Sequence, residues 1–141
     1  MTIYQVEEGL YRGGPPTVES YRLLSQMSTI LNLRSWPPAV RKEYDLFRRP
    51  RVRILTDPWM PFMPPSHRCT DAAIALIENK DLRPIYVHCL NGLDRTGYII
   101  AAYRVKKCGW SIREAVTEMR SVGFSWAYGF WIWQLQDYCL R

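Results

Sequence analysis

His88-Cys89-Leu90-Asn91-Gly92-Leu93-Asp94-Arg95-Thr96-Gly97 sets a cysteine and an arginine six positions apart around a glycine, directly after the apolar run Ile85-Tyr86-Val87. That run reads as a buried strand, and Tyr98-Ile99-Ile100-Ala101-Ala102 reads as the start of a helix, so the stretch is a strand-to-helix loop. Such a loop suits a tetrahedral oxyanion. Its backbone N–H groups converge into a nest, the helix points its positive end at the same spot, and an arginine fork clamps two oxygens. The same field favours thiolate over thiol, and the thiolate is the nucleophile, so Cys89 is expected to be ionised at neutral pH. A buried structural thiol is the plainer reading of any one cysteine. Here the preceding histidine, the internal glycine, the following Thr-Gly and the flanking elements together favour the reactive reading.

A displacement through cysteine needs an acid that protonates the leaving oxygen and later, as carboxylate, activates the water that frees the enzyme. Asp57, in Leu55-Thr56-Asp57-Pro58-Trp59, follows an apolar strand and opens the proline-rich stretch Pro58 to Pro65, a place from which a loop can close over a ligand. Turn initiation before Pro58 explains the same aspartate. Asp94 is the rival carboxylate, and its alternative role is to hold Arg95 or shape the pocket. Both stay open.

His88, Cys89, Arg95 and Thr96 satisfy the His-Cys, five residues, Arg, then Ser or Thr signature of the cysteine-dependent protein tyrosine and dual-specificity phosphatases, which this chain resembles. The likeness extends to Leu10-Tyr11-Arg12-Gly13-Gly14-Pro15-Pro16, to Ile30-Leu31-Asn32-Leu33-Arg34, and to Gly109-Trp110-Ser111 with Glu114-Ala115 and Glu118-Met119, all similar to small microbial members. The resemblance implies a phosphocysteine at Cys89, phosphate binding by Arg95 and by the loop residues Leu90, Asn91, Gly92, Leu93 and Asp94, and thiolate departure helped by Thr96. It also implies loop orientation by His88, the acid at Asp57, and an asparagine brace at Asn32, for which a simple strand-end hydrogen bond is the alternative. The Asp-Arg-Thr run looks like the loops of myotubularin-type and Sac-type phosphoinositide phosphatases, where a loop aspartate has been considered as the acid. The Arg-Thr-Gly-Tyr run resembles RNA triphosphatases of the same superfamily.

The chain has 141 residues, 48% of them hydrophobic, which fits one catalytic domain over 1–141 with a substantial core. No repeat, linker or low-complexity tract divides it. The N-terminus lacks the pattern of a secretory signal, and no stretch approaches the roughly 20 apolar residues that span a bilayer. The cysteines Cys69, Cys89, Cys108 and Cys139 form no CxxC pair, so a reducing, cytoplasmic setting is expected and a disulfide framework is not. His67, Cys69, His88 and Cys89 lack the usual zinc-ligand spacing, so no metal and no other cofactor is expected. The excess of 19 basic over 13 acidic residues gives a net charge of +6, with a cluster at Arg48, Arg49, Arg51 and Arg53. That cluster reads first as a solvated junction and second as an attraction for phosphorylated partners. Arg12 and Arg34 lie at strand ends near the pocket, and each reads first as a surface charge and second as a ligand contact.

Periodicity gives an α/β alternation and hence a mainly parallel sheet flanked by helices, with the loop at the carboxyl end of a strand. Strands are expected at Ile3 to Val6, Leu10 to Arg12, Thr29 to Leu33, Arg51 to Leu55 and Ile85 to His88. Helices are expected after Thr17 as cap, with Val18, Tyr21, Leu24 and Met27 on one face; over Pro38 to Arg49; and after Ser66, with Cys69, Ala72, Ala73, Leu76 and Ile77 inward. The helix after the loop is apolar all round and should run through the core to Gly109. Ser111 and Glu114 form a capping box for a helix facing inward through Ile112, Ala115, Val116 and Met119. A last helix, about Ala127 to Leu140, carries Phe130, Trp131, Trp133 and Leu135 into the core. The leading reading is a protein phosphotyrosine phosphatase with broad or dual specificity, since no long insertion is present to deepen the pocket. The alternatives are a phosphoinositide, inositol phosphate or RNA 5′-phosphatase, with nucleic acid only as substrate, and last a phosphate-binding module without turnover.

Overall fold

The computed structural model describes residues 3–33, 51–54, 63–89, 93–125 and 129–141. β1 (Ile3–Glu7) and β2 (Leu10–Gly13) form an antiparallel hairpin whose turn holds Gly9 at φ 79°, a value that favours glycine. There follow α1 (Tyr21–Leu24), β3 (Thr29–Asn32), β4 (Arg51–Ile54), α2 (His67–Glu78), a 3-10 turn at Lys80–Leu82, β5 (Ile85–His88), α3 (Arg95–Cys108), α4 (Ile112–Val122) and α5 (Gly129–Cys139). The described strands build one sheet in the order β1-β2-β5-β3-β4, parallel from β2 to β4. The expected mainly parallel sheet is present, and β5, which leads into the Cys89 loop, is its central strand.

All four residues of β3 and of β5 are buried, as in a parallel sheet covered on both faces. One face presents Leu10, Leu31, Ile85 and Val87 to α2, α3, α4 and α5, forming the larger core. The other presents Ile30, Val52 and Tyr86 to Leu24 and Met27 around α1. On β4, exposed Arg51 and Arg53 flank buried Val52. Charges at a sheet edge oppose the addition of a further strand. Arg48, Arg49, Arg34 and the segment from Pro38 to Arg49 lie outside the described residues.

Local signals account for the helix ends. Ser66 Oγ accepts from Cys69 N at 3.1 Å, and Cys69, Ala73 and Ile77 point inward from α2. Ser111 and Glu114 make both bonds of the capping box, each 3.1 Å, and Ala115 and Met119 are buried. Gly109, at φ 76°, closes α3. From Thr96 to Tyr103 every residue of α3 is buried, so this helix does run through the core. No helix among the described residues is long and apolar enough to cross a membrane.

Two expectations fail. Thr17 caps no helix: α1 starts only at Tyr21, Thr17 N donates to Ser20 Oγ at 2.8 Å, Ser20 N donates to Thr17 Oγ1 at 3.3 Å, and Val18 is 82% exposed. The reciprocal Thr17–Ser20 bonds satisfy this turn locally, which leaves nothing to drive Val18 inward. In α5, Trp131, Leu135 and Tyr138 are buried, but Phe130 and Trp133 are exposed, because an eleven-residue helix on the rim of the core offers it one face only.

Candidate active site

The site grows from the carboxyl ends of β5, β3 and β2, which lie side by side. In register, His88 stands between Asn32 of β3 and Gly13 of β2, and Leu33 N donates to His88 O at 2.8 Å. Asn32, 1% exposed, is thus buried against the strand that carries the Cys89 loop, where a polar side chain needs a partner. His88 is equally buried. Its ring stacks on Tyr86 with centroids 5.9 Å apart, and its Nδ1 lies 3.3 Å from the Cys89 carbonyl oxygen. A carbonyl only accepts, so Nδ1 carries the proton. Tyr86 is fixed in turn by a hydrogen bond from its hydroxyl to Gly14 O at 2.5 Å. Strand packing therefore holds the backbone at Cys89 from behind.

Cys89 itself is 2% exposed and in no disulfide. Leu90, Asn91, Gly92 and Asp57 lie outside the described residues. On the far side of the loop, α3 starts at Arg95, with first-turn bonds from Gly97 N to Leu93 O (3.2 Å) and Tyr98 N to Asp94 O (2.9 Å). The positive end of a long, buried helix thus opens where the loop ends. Arg95 is half-buried, while Thr96 is fully buried with its hydroxyl making no hydrogen bond among the described residues. A buried hydroxyl without a fixed partner in this first turn is placed to donate to a nearby anion.

Asp94 occupies the cap position of α3 without capping it. Its Oδ1 instead accepts from Ser125 N at 3.0 Å, while Leu93 packs against Gly123. One oxygen of this carboxylate therefore ties the loop to the end of α4, a bracing role that sequence spacing did not display.

Arg12 corrects the expectation of a surface charge: it is 3% exposed. Leu10 faces the larger core, and alternation along β2 sends Arg12 to the same face, beside Val87 of β5. Its Nη2 reaches the first turn of α3, where a Cβ on Gly97 would meet it at 3.5 Å and Met119 Cγ at 3.1 Å. Gly97 is therefore the residue that lets Arg12 and α4 approach the helix start. Burial pushes the Arg12 guanidinium down from its usual value, against the charges of Cys89 and Glu118, which hold it up. The period-two pattern of β2 carried the signal for this residue, since Leu10 inward implies Arg12 inward.

Chemically, the arrangement gathers a buried thiol, a fixed buried guanidinium, a half-buried second guanidinium, a hydroxyl and a helix N-terminus around one loop. Among the described residues no group of three or more His, Cys, Asp and Glu side chains is placed to hold a metal ion.

Comparison with known proteins agrees with this geometry. Residues 3–126 match the model of a family described as a DSP-PTPase phosphatase fused to NAD+ kinase. The chain is 28% identical over 137 residues to the dual specificity protein phosphatase TpbA of Pseudomonas aeruginosa, covering 88% of this chain and 56% of that protein. It is 28% identical over 134 residues to the inositol diphosphatase DSP3 of Arabidopsis thaliana, covering 86% of this chain and 62% of that protein. The chain thus spans little more than half the length of these curated relatives. Its fold matches the core catalytic domain of the PP-IP phosphatase SIW14 from S. cerevisiae with a TM-score of 0.81, at 23% identity, over 96% of this chain and 84% of that one. The buried Cys89 at a strand end, the helix opening at Arg95 and the matched span together make the chain a member of the DSP-PTPase family of cysteine-dependent phosphatases.

Proposed function

We propose that this chain is a single catalytic domain that hydrolyses phosphomonoesters through a phosphocysteine at Cys89. The observation that carries the reading is the placement of a buried cysteine between the central strand and the N-terminus of α3, with Thr96 buried in the first helical turn. In the first step the thiolate attacks phosphorus, the S–P bond forms as the P–O ester bond breaks, and the leaving oxygen takes a proton from the acid. Arg95 and the backbone N–H groups of residues 90–94 hold the three peripheral oxygens, whose charge such transfers must stabilise. In the second step water, deprotonated by the same carboxylate, displaces the sulfur, and the Thr96 hydroxyl donates to the departing thiolate.

Asp57 is the leading acid. The bond from Ser125 N to one Asp94 oxygen favours a bracing role for Asp94. His88 holds the loop from behind through the Cys89 carbonyl.

Phosphotyrosine on protein is the leading substrate, with phosphoserine and phosphothreonine as dual-specificity substrates in a reducing, cytoplasmic setting. A second reading, inositol phosphates or phosphoinositides, is favoured by the 28% identity to an inositol diphosphatase. The test is phosphate release by wild type and Cys89→Ser from a phosphotyrosine peptide, a phosphoserine peptide, inositol polyphosphates, phosphoinositides and 5′-triphosphorylated RNA. Cys89→Ser should lose at least about 10⁴-fold in kcat on every substrate, because a serine there cannot ionise. Turnover surviving that change sinks the mechanism. A preference for inositol phosphates replaces the substrate but keeps the chemistry. RNA turnover that survives Asp57→Asn moves the chain to the RNA-directed branch.

A further inference from the structure

Three consecutive residues at the end of α4 reach the segment that carries Arg95. Gly123 leaves room for Leu93, whose Cδ2 would lie 3.2 Å and Cδ1 3.4 Å from a Cβ there, and its φ of 123° also favours glycine. Phe124 is 3% exposed and meets Trp131 edge to face with centroids 5.8 Å apart, and Trp131 in turn meets Tyr98 of α3 at 6.2 Å. Ser125 N donates to Asp94 Oδ1 at 3.0 Å. The turn itself is pinned, since Gly123 N donates to Arg120 O and Phe124 N to Met119 O, both at 3.1 Å. Met119, one turn earlier in α4, packs on Gly97. α4 and its final turn therefore hold positions 93, 94 and 97, on both sides of Arg95.

Leu93 and Asp94 are fixed twice. Their carbonyls accept the first-turn bonds of α3, from Gly97 N and Tyr98 N, while their side chains rest on the α4 turn. An aspartate at a helix cap ordinarily has extended backbone and folds its carboxylate back onto the first-turn amides. Asp94 has φ −86° and ψ −69°, a helical conformation, and makes no such bond. Its carboxylate is directed at Ser125 instead, so the cap residue's own anion is kept off the start of α3, where an incoming oxyanion would sit.

We propose that the turn Gly123–Phe124–Ser125 is a positioning element of the phosphate site: through Leu93 and Asp94 it fixes the backbone from which Arg95 and the last loop amides meet an oxyanion. Asp94 is thereby a positioning residue that serves as a hydrogen-bond acceptor, and its charge is not what the site uses. The inference rests on the phosphatase reading for the identity of the anion, whereas anion binding is measurable without turnover.

The test is the affinity for inorganic phosphate and for tungstate, a second tetrahedral oxyanion, by titration calorimetry. Melting temperatures and p-nitrophenyl phosphate turnover of the wild type run alongside. Asp94→Ala, which removes the acceptor, should weaken both anions about tenfold. Asp94→Asn, which keeps a carbonyl acceptor for Ser125 N, should stay within about threefold of wild type. Gly123→Ala, whose Cβ displaces Leu93, should weaken both anions by about five- to tenfold. A role in stability alone would lower the melting temperature and leave the affinities unmoved. A folded Asp94→Ala variant with wild-type affinity overturns the proposal, and so does an Asp94→Asn variant as weak as Asp94→Ala. If Asp94→Ala fails to fold, wild-type affinity in Gly123→Ala overturns it instead. A wild type that binds both anions but releases no phosphate sinks the phosphatase reading and leaves the positioning in place; one that binds neither anion overturns the positioning.

Discussion

The two ends of the sheet carry the same residue types in different surroundings. At the carboxyl end Arg12, buried beside Val87, reaches the first turn of the helix that follows the Cys89 loop. At the amino end Cys108 has Glu7 beside it, with Cys108 Sγ 3.7 Å from Glu7 Oε1. Arg83 at that end is fully engaged: Nη1 donates to Glu7 Oε2 at 2.9 Å and Glu8 O at 2.7 Å, Nε to Ile77 O at 3.1 Å, and Nη2 to the Tyr103 hydroxyl at 3.1 Å. Tyr103 donates to the same Glu7 oxygen at 2.9 Å. Burial first, and then the Glu7 charge, push the Cys108 thiol up. A cysteine and an arginine near each other therefore do not make a reactive site. At the amino end a single carboxylate accepts from the arginine and faces the thiol, which makes the pair a structural clasp.

The sharpest attempt to break this comparison is to replace both arginines in parallel. Arg95→Lys should lower kcat/KM by about 10²- to 10³-fold with the fold intact, since lysine lacks the bidentate fork and the loss falls on transition-state charge. Arg83→Lys should leave kcat/KM within about threefold of wild type and lower the melting temperature instead, having lost a half-buried hydrogen-bond hub. Equal kinetic damage from both would erase the distinction between the ends.

A smaller effect is expected in thiol labelling of the wild type. Iodoacetamide at neutral pH should alkylate Cys89 at least about tenfold faster than Cys108, although Cys89 is the more deeply buried of the two. Comparable rates would mean that access and not charge governs the two thiols. Mild peroxide should follow the same order and inactivate reversibly through a sulfenic acid at Cys89.

The smallest effect concerns stability. Burial acts to raise the Glu7 carboxyl, but hydrogen bonds from Arg83, Tyr103 and Cys108 and the Arg83 charge outweigh it, so the group sits below the usual carboxylate value. A depressed carboxylate contributes stability above its unfolded value and loses it as pH falls through the folded one. Glu7→Gln should thus cost about 1 kcal/mol at neutral pH, shrinking toward zero once the pH drops well below about 4. Chemical denaturation across that range measures it. A penalty that stays constant with pH would assign Glu7 a packing role only.

Much of this was legible in the chain itself, for identifiable reasons. The capping box at Ser111, the stop at Gly109 and the cap at Ser66 are local signals, each complete within a few residues, and each is present. Asp94 and Arg12 read differently. The Asp94 bond to Ser125 spans a separation of 31 residues, which no local pattern encodes. Arg12 looked exposed because charge ordinarily is, whereas its strand lies between β1 and β5 and alternation allows it no outward face. Thr17 carried a correct cap signal, but its bonds with Ser20 closed a turn instead of starting a helix.

The strand order has a consequence for how the molecule comes into being. β5 lies between β2 and β3, so the two halves of the sheet, both made from the first 54 residues, have no shared edge until residues 85–88 arrive between them. Pairings over such sequence distances form late and slowly. Cys89, the proposed nucleophile, is the next residue along, so the proposed centre is assembled by the same insertion event that completes the sheet. A nascent or partly unfolded chain accordingly has no half-built centre to misfire, and catalytic competence becomes a readout of finished folding.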